Sequence, residues 1–327
     1  YGIYDYVRIT KDLDFLYGRG AEVLTETARF WASRCEYVAE KDRYEINQVT
    51  GPDEWHEPVN NNLYTNYFAR WNLRYVMSLI RTMKEERPDD YEALMKKTGL
   101  KEEELEFWNT VQSKIYLPRK EGTNLLEQFE GYFQLKDVVI DQYDENDWPI
   151  RPEALKTCKA RETQILKQPD VVLLLHLLGE EFEPELMKEN YDYYEKRTLH
   201  GSSLSPSIYS VMGLKVGDDS KAYRYLKRAA LIDLLNLQKN TREGIHAANA
   251  GGVWQTIVFG FAGVSIGKDG ILNVKPNMPK EWSSLTFRFH YDNAWLEIQT
   301  DGNNQAEVRR LDGAPVGIWI NGEKKEI

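Results

Sequence analysis

GPDEWHEPVNNNLYTNYFARWNLRYVMSL, residues 51 to 79, sets two kinds of chemistry end to end. Its second half reads as a helix. Tyr64, Phe68, Trp71, Tyr75 and Leu79 recur at the 3.6-residue period, and Asn62 stands where a capping side chain belongs. Its first half is dense in groups that must be solvated or hydrogen-bonded: Asp53 and Glu54 after a Gly-Pro turn, then His56, Asn60, Asn61 and Asn62. A polyol-binding site explains that density, and so does an elaborate helix start at which acidic residues merely favour the N-terminus. Asp53 and Glu54 cannot serve each other as a glycosidase pair, because adjacent side chains diverge and such a pair straddles its bond at ~5 Å or more.

The same helical period runs outward from this stretch. Leu24, Ala28, Trp31, Cys35 and Val38 form one stripe, and Tyr223, Leu226, Ala230, Leu234 and Leu237 another. Shorter helices fit 89–97, 101–114, 183–196 and 250–266, and Ser205-Pro206 is a helix start, serine as cap and proline in the first position. Residues 117–158, punctuated by Pro, Asp and Gly, read as a long irregular excursion. After Gly270 the pattern changes to alternation of apolar and polar residues with Asp301-Gly302, Asp312-Gly313 and Asn321-Gly322 as turn pairs, the signature of antiparallel strands. The chain is thus mainly α, with a helical domain over 1–266 and a small antiparallel β domain over 267–327.

Composition excludes several classes. A formal net charge of -10 argues against a nucleic-acid partner, no apolar run is long enough for a membrane helix, and YGIYDYVRIT has no signal-peptide pattern. Two cysteines, Cys35 and Cys158, and no N-x-[ST] sequon suggest neither a disulfide framework nor glycosylation, so a cytoplasmic setting is expected. The 20 Tyr and 9 Trp suit a sugar cleft and a large core equally well.

Three further polar clusters accompany the first. LHGSSLSPS, 199 to 207, offers Ser202, Ser203 and free helix-start N–H groups to an anion. EGIHAANAGGVW, 243 to 254, carries His246, and a lone loop histidine is more often structural than catalytic. Lys167-Gln168 precedes an apolar run, where Lys167 alone reads as a surface lysine.

ETARFW, YEINQVTGPDEWHEPVNNNLYTN, EQFEGYF, KQPDV, LHGSSLS and GIHAANAGGVWQTIVFGFAG, in this order, resemble the disaccharide phosphorylases of glycoside hydrolase family 65. The resemblance implies part of an (α/α)6 barrel over 1–266, a C-terminal β-sandwich portion over 267–327, and a chain that corresponds to the C-terminal portion of a longer enzyme. It also implies roles: Glu54 as general acid, Lys167 and Gln168 on glucosyl hydroxyls, and Ser202, Ser203 and His246 on inorganic phosphate. The implied activity is inverting phosphorolysis of an α-linked glucosyl disaccharide to β-glucose 1-phosphate. Phosphate, as co-substrate, replaces the base and water of an inverting hydrolase, and no metal or other cofactor is called for. Glu54 would then have to be protonated at rest, in a desolvated setting next to Asp53. The expected partners are a disaccharide and phosphate, with room for a homodimer. Two other readings stand beside this one: a family hydrolase with Glu195 as base, and a non-catalytic sugar-binding protein.

Overall fold

The computed structural model describes residues 1–327, which divide into two units. The first comprises Tyr1–Val7, Lys11–Gly51 and His56–Gln134. Along the chain come α1 (Gly2–Thr10), a short α2 (Leu13–Phe15), α3 (Ala21–Arg34), a hairpin of β1 (Glu36–Val38) and β2 (Arg43–Glu45), α4 (Leu63–Glu86), α5 (Pro88–Thr98) and α6 (Glu102–Lys114). Their core gathers Leu24, Ala28, Ala69, Leu73, Val76, Ile80, Met83, Trp108 and Val111.

In α4 the buried residues are Leu63, Asn66, Ala69, Trp71, Asn72, Leu73, Val76, Leu79, Ile80 and Met83, so Trp71 and Leu79 of the stripe expected from the sequence are buried and its other members flank the buried face. Tyr64, Phe68 and Tyr75 are half-buried beside it. Trp71 and Tyr75 stack at 5.3 Å, and Tyr4 meets both edge-on at 5.2 and 5.3 Å. Helix α3 is shorter than its stripe: Cys35 is extended and Val38 lies in β1. The hairpin was not foreseen.

The second unit comprises Arg8–Thr10, Pro52–Trp55 and Leu135–Ile327. It contains α7 (Val171–Leu177), α8 (Pro184–Glu195), α9 (Ser205–Val216), α10 (Asp219–Leu231) and α11 (Ala247–Gln255), the last continued by a π-helical turn over Thr256–Phe261. Helix α10 buries Ala222, Tyr225, Leu226 and Ala229 and stops at Leu231. The expected stripe through Leu234 and Leu237 therefore fails, and Leu234 is 80% exposed. Residues 117–158, which run from the first unit into the second at Leu135, hold short 3-10 turns, Tyr132–Gln134 and Glu153–Lys156, and isolated bridges such as Tyr143 to Pro149.

Seven strands follow: β3 (Val264–Ile266), β4 (Leu272–Val274), β5 (Ser284–Tyr291), β6 (Ala294–Asp301), β7 (Ala306–Gly313), β8 (Gly317–Ile320) and β9 (Glu323–Glu326). They form two sheets, β3-β4-β8-β9 and β5-β6-β7. Residues of both sheets, among them Leu272, Ile318, Leu296 and Ile298, share one apolar core. The arrangement is mixed, since β4 and β8 pair in parallel, joined through the intervening β5-β6-β7 sheet. Asn321-Gly322 makes the β8–β9 turn with positive φ at both residues (51° and 86°), as a two-residue hairpin requires. Asp301-Gly302 opens the β6–β7 turn, where Asp301 Oδ1 accepts from Asn303 and Gln305 N–H, both at 2.9 Å. Asp312-Gly313 is not a hairpin turn but the end of β7. No helix is long and apolar enough to cross a membrane, and no group of three or more His, Cys, Asp or Glu side chains is placed to hold a metal ion.

Candidate active site

The polar density of residues 51–66 resolves into two parts. The asparagines are structural pegs of the first unit. Asn62 caps α4, its Oδ1 accepting from Thr65 N–H at 3.0 Å. Asn61, with φ of 50°, accepts from Ile46 N–H at 3.2 Å and donates to Glu130 Oε2 at 2.8 Å. Asn60 Oδ1 accepts from Gln48 N–H at 3.1 Å. His56 is buried against Phe129 and Tyr132, at ring distances of 5.3 and 6.1 Å. The elaborate helix start is thus a true description of these residues.

Residues 52–55 belong to the second unit and are held differently. Asp53 is 1% exposed, and its Oδ1 accepts from the backbone N–H of Lys167 at 2.9 Å. The Gln168 side-chain amide donates to the Pro52 carbonyl, and the Lys167 ammonium pairs with Glu54 Oε2. Segment 166–168 lies in turn against 197–201: Leu166 N–H donates to Arg197 O at 2.8 Å, Leu199 N–H to Leu166 O at 2.9 Å and Gly201 N–H to Lys167 O at 2.8 Å. A Cβ on Gly201 would sit 3.4 Å from Lys167 Cγ and 3.7 Å from Trp55, so the three segments touch at this point.

The fold therefore brings Glu54, Lys167, Gln168 and the Gly201–Ser203 loop together from distant parts of the sequence. Asp53 is the strut that joins Glu54's turn to Lys167, a role the carboxylate pair did not advertise. The desolvated setting that an acid role asks of Glu54 is not met as it stands, because its side chain is 54% exposed and paired with Lys167.

Ser202 and Ser203 lie ahead of α9. Ser202 Oγ accepts from Leu204 N–H at 3.3 Å. The start of α9 differs in detail from the sequence expectation. Leu204 occupies the cap position, Ser205 is already helical, and its hydroxyl faces His200 Nδ1 at 2.7 Å. His246 stands at the N-terminus of α11 and bonds to Asp233 rather than to either serine. Its Nδ1 is 2.5 Å from Asp233 Oδ1 and its backbone N–H donates to Oδ2 at 2.8 Å. These bonds hold the Asp233 carboxylate below its usual range. Helices α9 and α11 meet where Gly252 lies on Ser207, a Cβ at 252 falling 2.5 Å from Ser207 Oγ. Asp233 is thus an orienting partner that the sequence, in which it stands 13 positions before His246, gave no means to find.

Glu195 is 4% exposed, accepts from the Tyr225 hydroxyl at 2.8 Å and is 2.9 Å from Lys221 Nζ. One oxygen of this carboxylate is thus taken by Tyr225, and the other, which accepts no hydrogen bond, has the Lys221 ammonium as its neighbour.

Comparison with known proteins gives these geometries a family. Residues 1–255 match the family model of the glycosyl hydrolase family 65 central catalytic domain, and residues 266–327 that of the family's C-terminal domain. The kojibiose phosphorylase of Caldanaerobacter subterraneus subsp. tengcongensis is 50% identical over 99% of this chain and 42% of its own length. The alpha,alpha-trehalose phosphorylase of Thermoanaerobacter brockii is 37% identical, again over 99% of this chain and 42% of its own. A solved structure of a putative kojibiose phosphorylase from human microbiome superposes with a TM-score of 0.86 at 32% identity, covering 99% of this chain and 42% of that one. The chain spans less than half the length of these relatives. With both domain models in register along it, the chain belongs to glycosyl hydrolase family 65.

Proposed function

We propose that this chain forms part of an inverting phosphorylase that cleaves an α-linked glucosyl disaccharide, its portion over 1–266 completing an (α/α)6 barrel and 267–327 a β-sandwich, to which β3 (Val264–Ile266) also belongs. Glu54 passes its proton to the glycosidic oxygen while a phosphate oxygen attacks the anomeric carbon from the opposite face. The carbon–oxygen bond to the leaving sugar breaks, and β-glucose 1-phosphate results. Phosphate is a co-substrate, and the step needs no base, metal or further cofactor. The observation that carries the reading is the meeting of Glu54, Lys167, Gln168 and the Gly201–Ser203 loop through the bonds of Asp53, Pro52 and Gly201.

Lys167 and Gln168 take the glucosyl hydroxyls. In doing so Lys167 leaves Glu54, and the incoming sugar supplies the desolvation that lets Glu54 hold its proton. Ser202, Ser203, helix-start N–H groups and His246 hold the phosphate, which suits a dianion better than a neutral water. The engagement of Glu195 with Tyr225 and Lys221 speaks against the hydrolase reading. The kojibiose phosphorylases of Caldanaerobacter subterraneus subsp. tengcongensis, Thermoanaerobacter brockii and Halothermothrix orenii match at 42 to 50% identity and two trehalose phosphorylases at 36 to 37%, which favours kojibiose as substrate, while the putative kojibiose phosphorylase from human microbiome stands at 32%.

The test is kinetic, on the full-length protein. Ser202→Ala and His246→Ala should each raise KM for phosphate by roughly ten-fold or more, with KM for the disaccharide little changed, because each removes a donor to a charged group. Equal effects on both constants would remove these residues from the phosphate site.

A further inference from the structure

Behind the Ser202–Ser203 loop runs a chain of hydrogen-bonded polar side chains, most of them buried. His200 is 2% exposed and carries a left-handed backbone, φ of 50°, which a non-glycine residue keeps only when its surroundings hold it there. Its ring is enclosed by Tyr209 and Tyr225, both at 4.8 Å, and by Trp148 at 5.2 Å. Both ring nitrogens are engaged: Nδ1 lies 2.7 Å from Ser205 Oγ, and Nε2 lies 3.0 Å from the Tyr225 hydroxyl. Tyr225 in turn donates to Glu195 Oε1 at 2.8 Å, and Lys221 Nζ is 2.9 Å from Glu195 Oε2.

The direction of every proton in this chain follows from its far end. The Glu195 carboxylate only accepts, so the Tyr225 proton is committed to it and the Tyr225 oxygen is left to accept. His200 must then donate through Nε2–H, which leaves Nδ1 to accept the Ser205 hydroxyl proton. Burial, with Arg228 and Lys221 adding to it, lowers the His200 pKa to about 3, so the ring stays neutral and these directions do not invert near neutral pH. His200 and Ser205 flank residues 201–204, and the loop is closed a second time by Ser205 N–H donating to Ser202 O at 3.2 Å.

We infer that His200 and Ser205 form a clasp that presets the loop bearing Ser202 and Ser203 for a tetrahedral oxyanion, with Glu195 fixing the clasp's proton directions through Tyr225. These are positioning residues, none of which touches the reacting atoms, and the inference rests on the phosphate role proposed for Ser202 and Ser203. Pre-organising such a loop lowers the cost of ordering it when the anion binds.

The experiment compares Ser202→Ala, Ser205→Ala, Tyr225→Phe and the Ser205→Ala/Tyr225→Phe double variant in the full-length enzyme. It reads KM for phosphate, KM for the disaccharide and the affinity for inorganic phosphate by calorimetry. Ser205→Ala removes one buried atom and should raise KM for phosphate about ten-fold, leaving KM for the disaccharide within about two-fold. Tyr225→Phe should act in the same direction, and the double variant should cost less than the two effects multiplied, since both act through His200. Ser202→Ala raising KM for phosphate while Ser205→Ala does not would overturn the clasp and leave the phosphate loop standing. Equal rises in both Michaelis constants for Ser205→Ala would also overturn it, as general damage. If Ser202→Ala itself leaves phosphate binding unchanged, the phosphate loop falls and the clasp with it.

Discussion

Replacing Asp53 by alanine should loosen the second unit and disable the site together. Asp53 is 1% exposed, and its Oδ1 accepts the Lys167 backbone N–H at 2.9 Å. Alanine leaves that N–H without its acceptor in a place water reaches poorly. Removal of a charged partner from a buried hydrogen bond costs about 1.5 to 3 kcal/mol. For a unit of this size ~2 kcal/mol lowers the melting temperature by about 4 to 8 °C. Asp53→Asn should lose less, because its amide oxygen can still accept. Urea unfolding of the chain at pH 7, with the midpoint and slope both recorded, measures the effect. Turnover by the full-length Asp53→Ala variant should fall as well, because Glu54 and Lys167 lose their common anchor. A variant with an unchanged midpoint and slope would refute the strut, and one that lost stability yet kept full turnover would show that the strut does not serve the site.

Glu54→Gln keeps size and hydrogen bonding but has no proton to give, so turnover of the disaccharide by the full-length enzyme should drop ~10²-fold or more; circular dichroism checks the fold. Lys167→Ala and Gln168→Ala should lower kcat/KM alike for every acceptor sugar, and an effect confined to one acceptor would move these residues to the leaving-group side. His200 has a folded pKa of about 3 against 6.5 when exposed, so between those values only the unfolded chain takes up its proton. Its contribution is complete above pH 6.5 and is lost as pH falls toward 3, about 2 kcal/mol between pH 8 and pH 5. His200→Asn, which tolerates the left-handed backbone, should remove that share of the acid sensitivity in urea titrations at the two pH values.

The helices and most turns were legible because their signals are local. Asn62 announces a cap, Asn321-Gly322 a two-residue turn, and the strands alternate. What failed was the phase and extent of apolar stripes. Leu234 continues the α10 period but lies beyond the end of the helix at Leu231, and in α4 Trp71 and Leu79 are buried while Tyr64, Phe68 and Tyr75 are only half-buried. The β1–β2 hairpin is too short to show a period of its own. At the site, the residue types were visible but their pairings were not. Nothing in the sequence links Asp53 to the Lys167 backbone, Asp233 to His246, or His200 to Tyr225 and Glu195, because each pair is joined only by the folded chain. Glu195 shows the risk in reading residue type alone: a free acid in the sequence is a buried, engaged carboxylate in the fold.

The central claim is that phosphate, rather than water, takes the glucosyl unit. The direct measurement is proton NMR of the full-length enzyme acting on kojibiose, first in phosphate-free buffer and then with inorganic phosphate added. The account predicts almost no free glucose before the addition, and afterwards β-glucose 1-phosphate appearing in step with the second sugar, at a rate that saturates with phosphate. Brisk release of glucose without phosphate, or a product of α configuration, would contradict it.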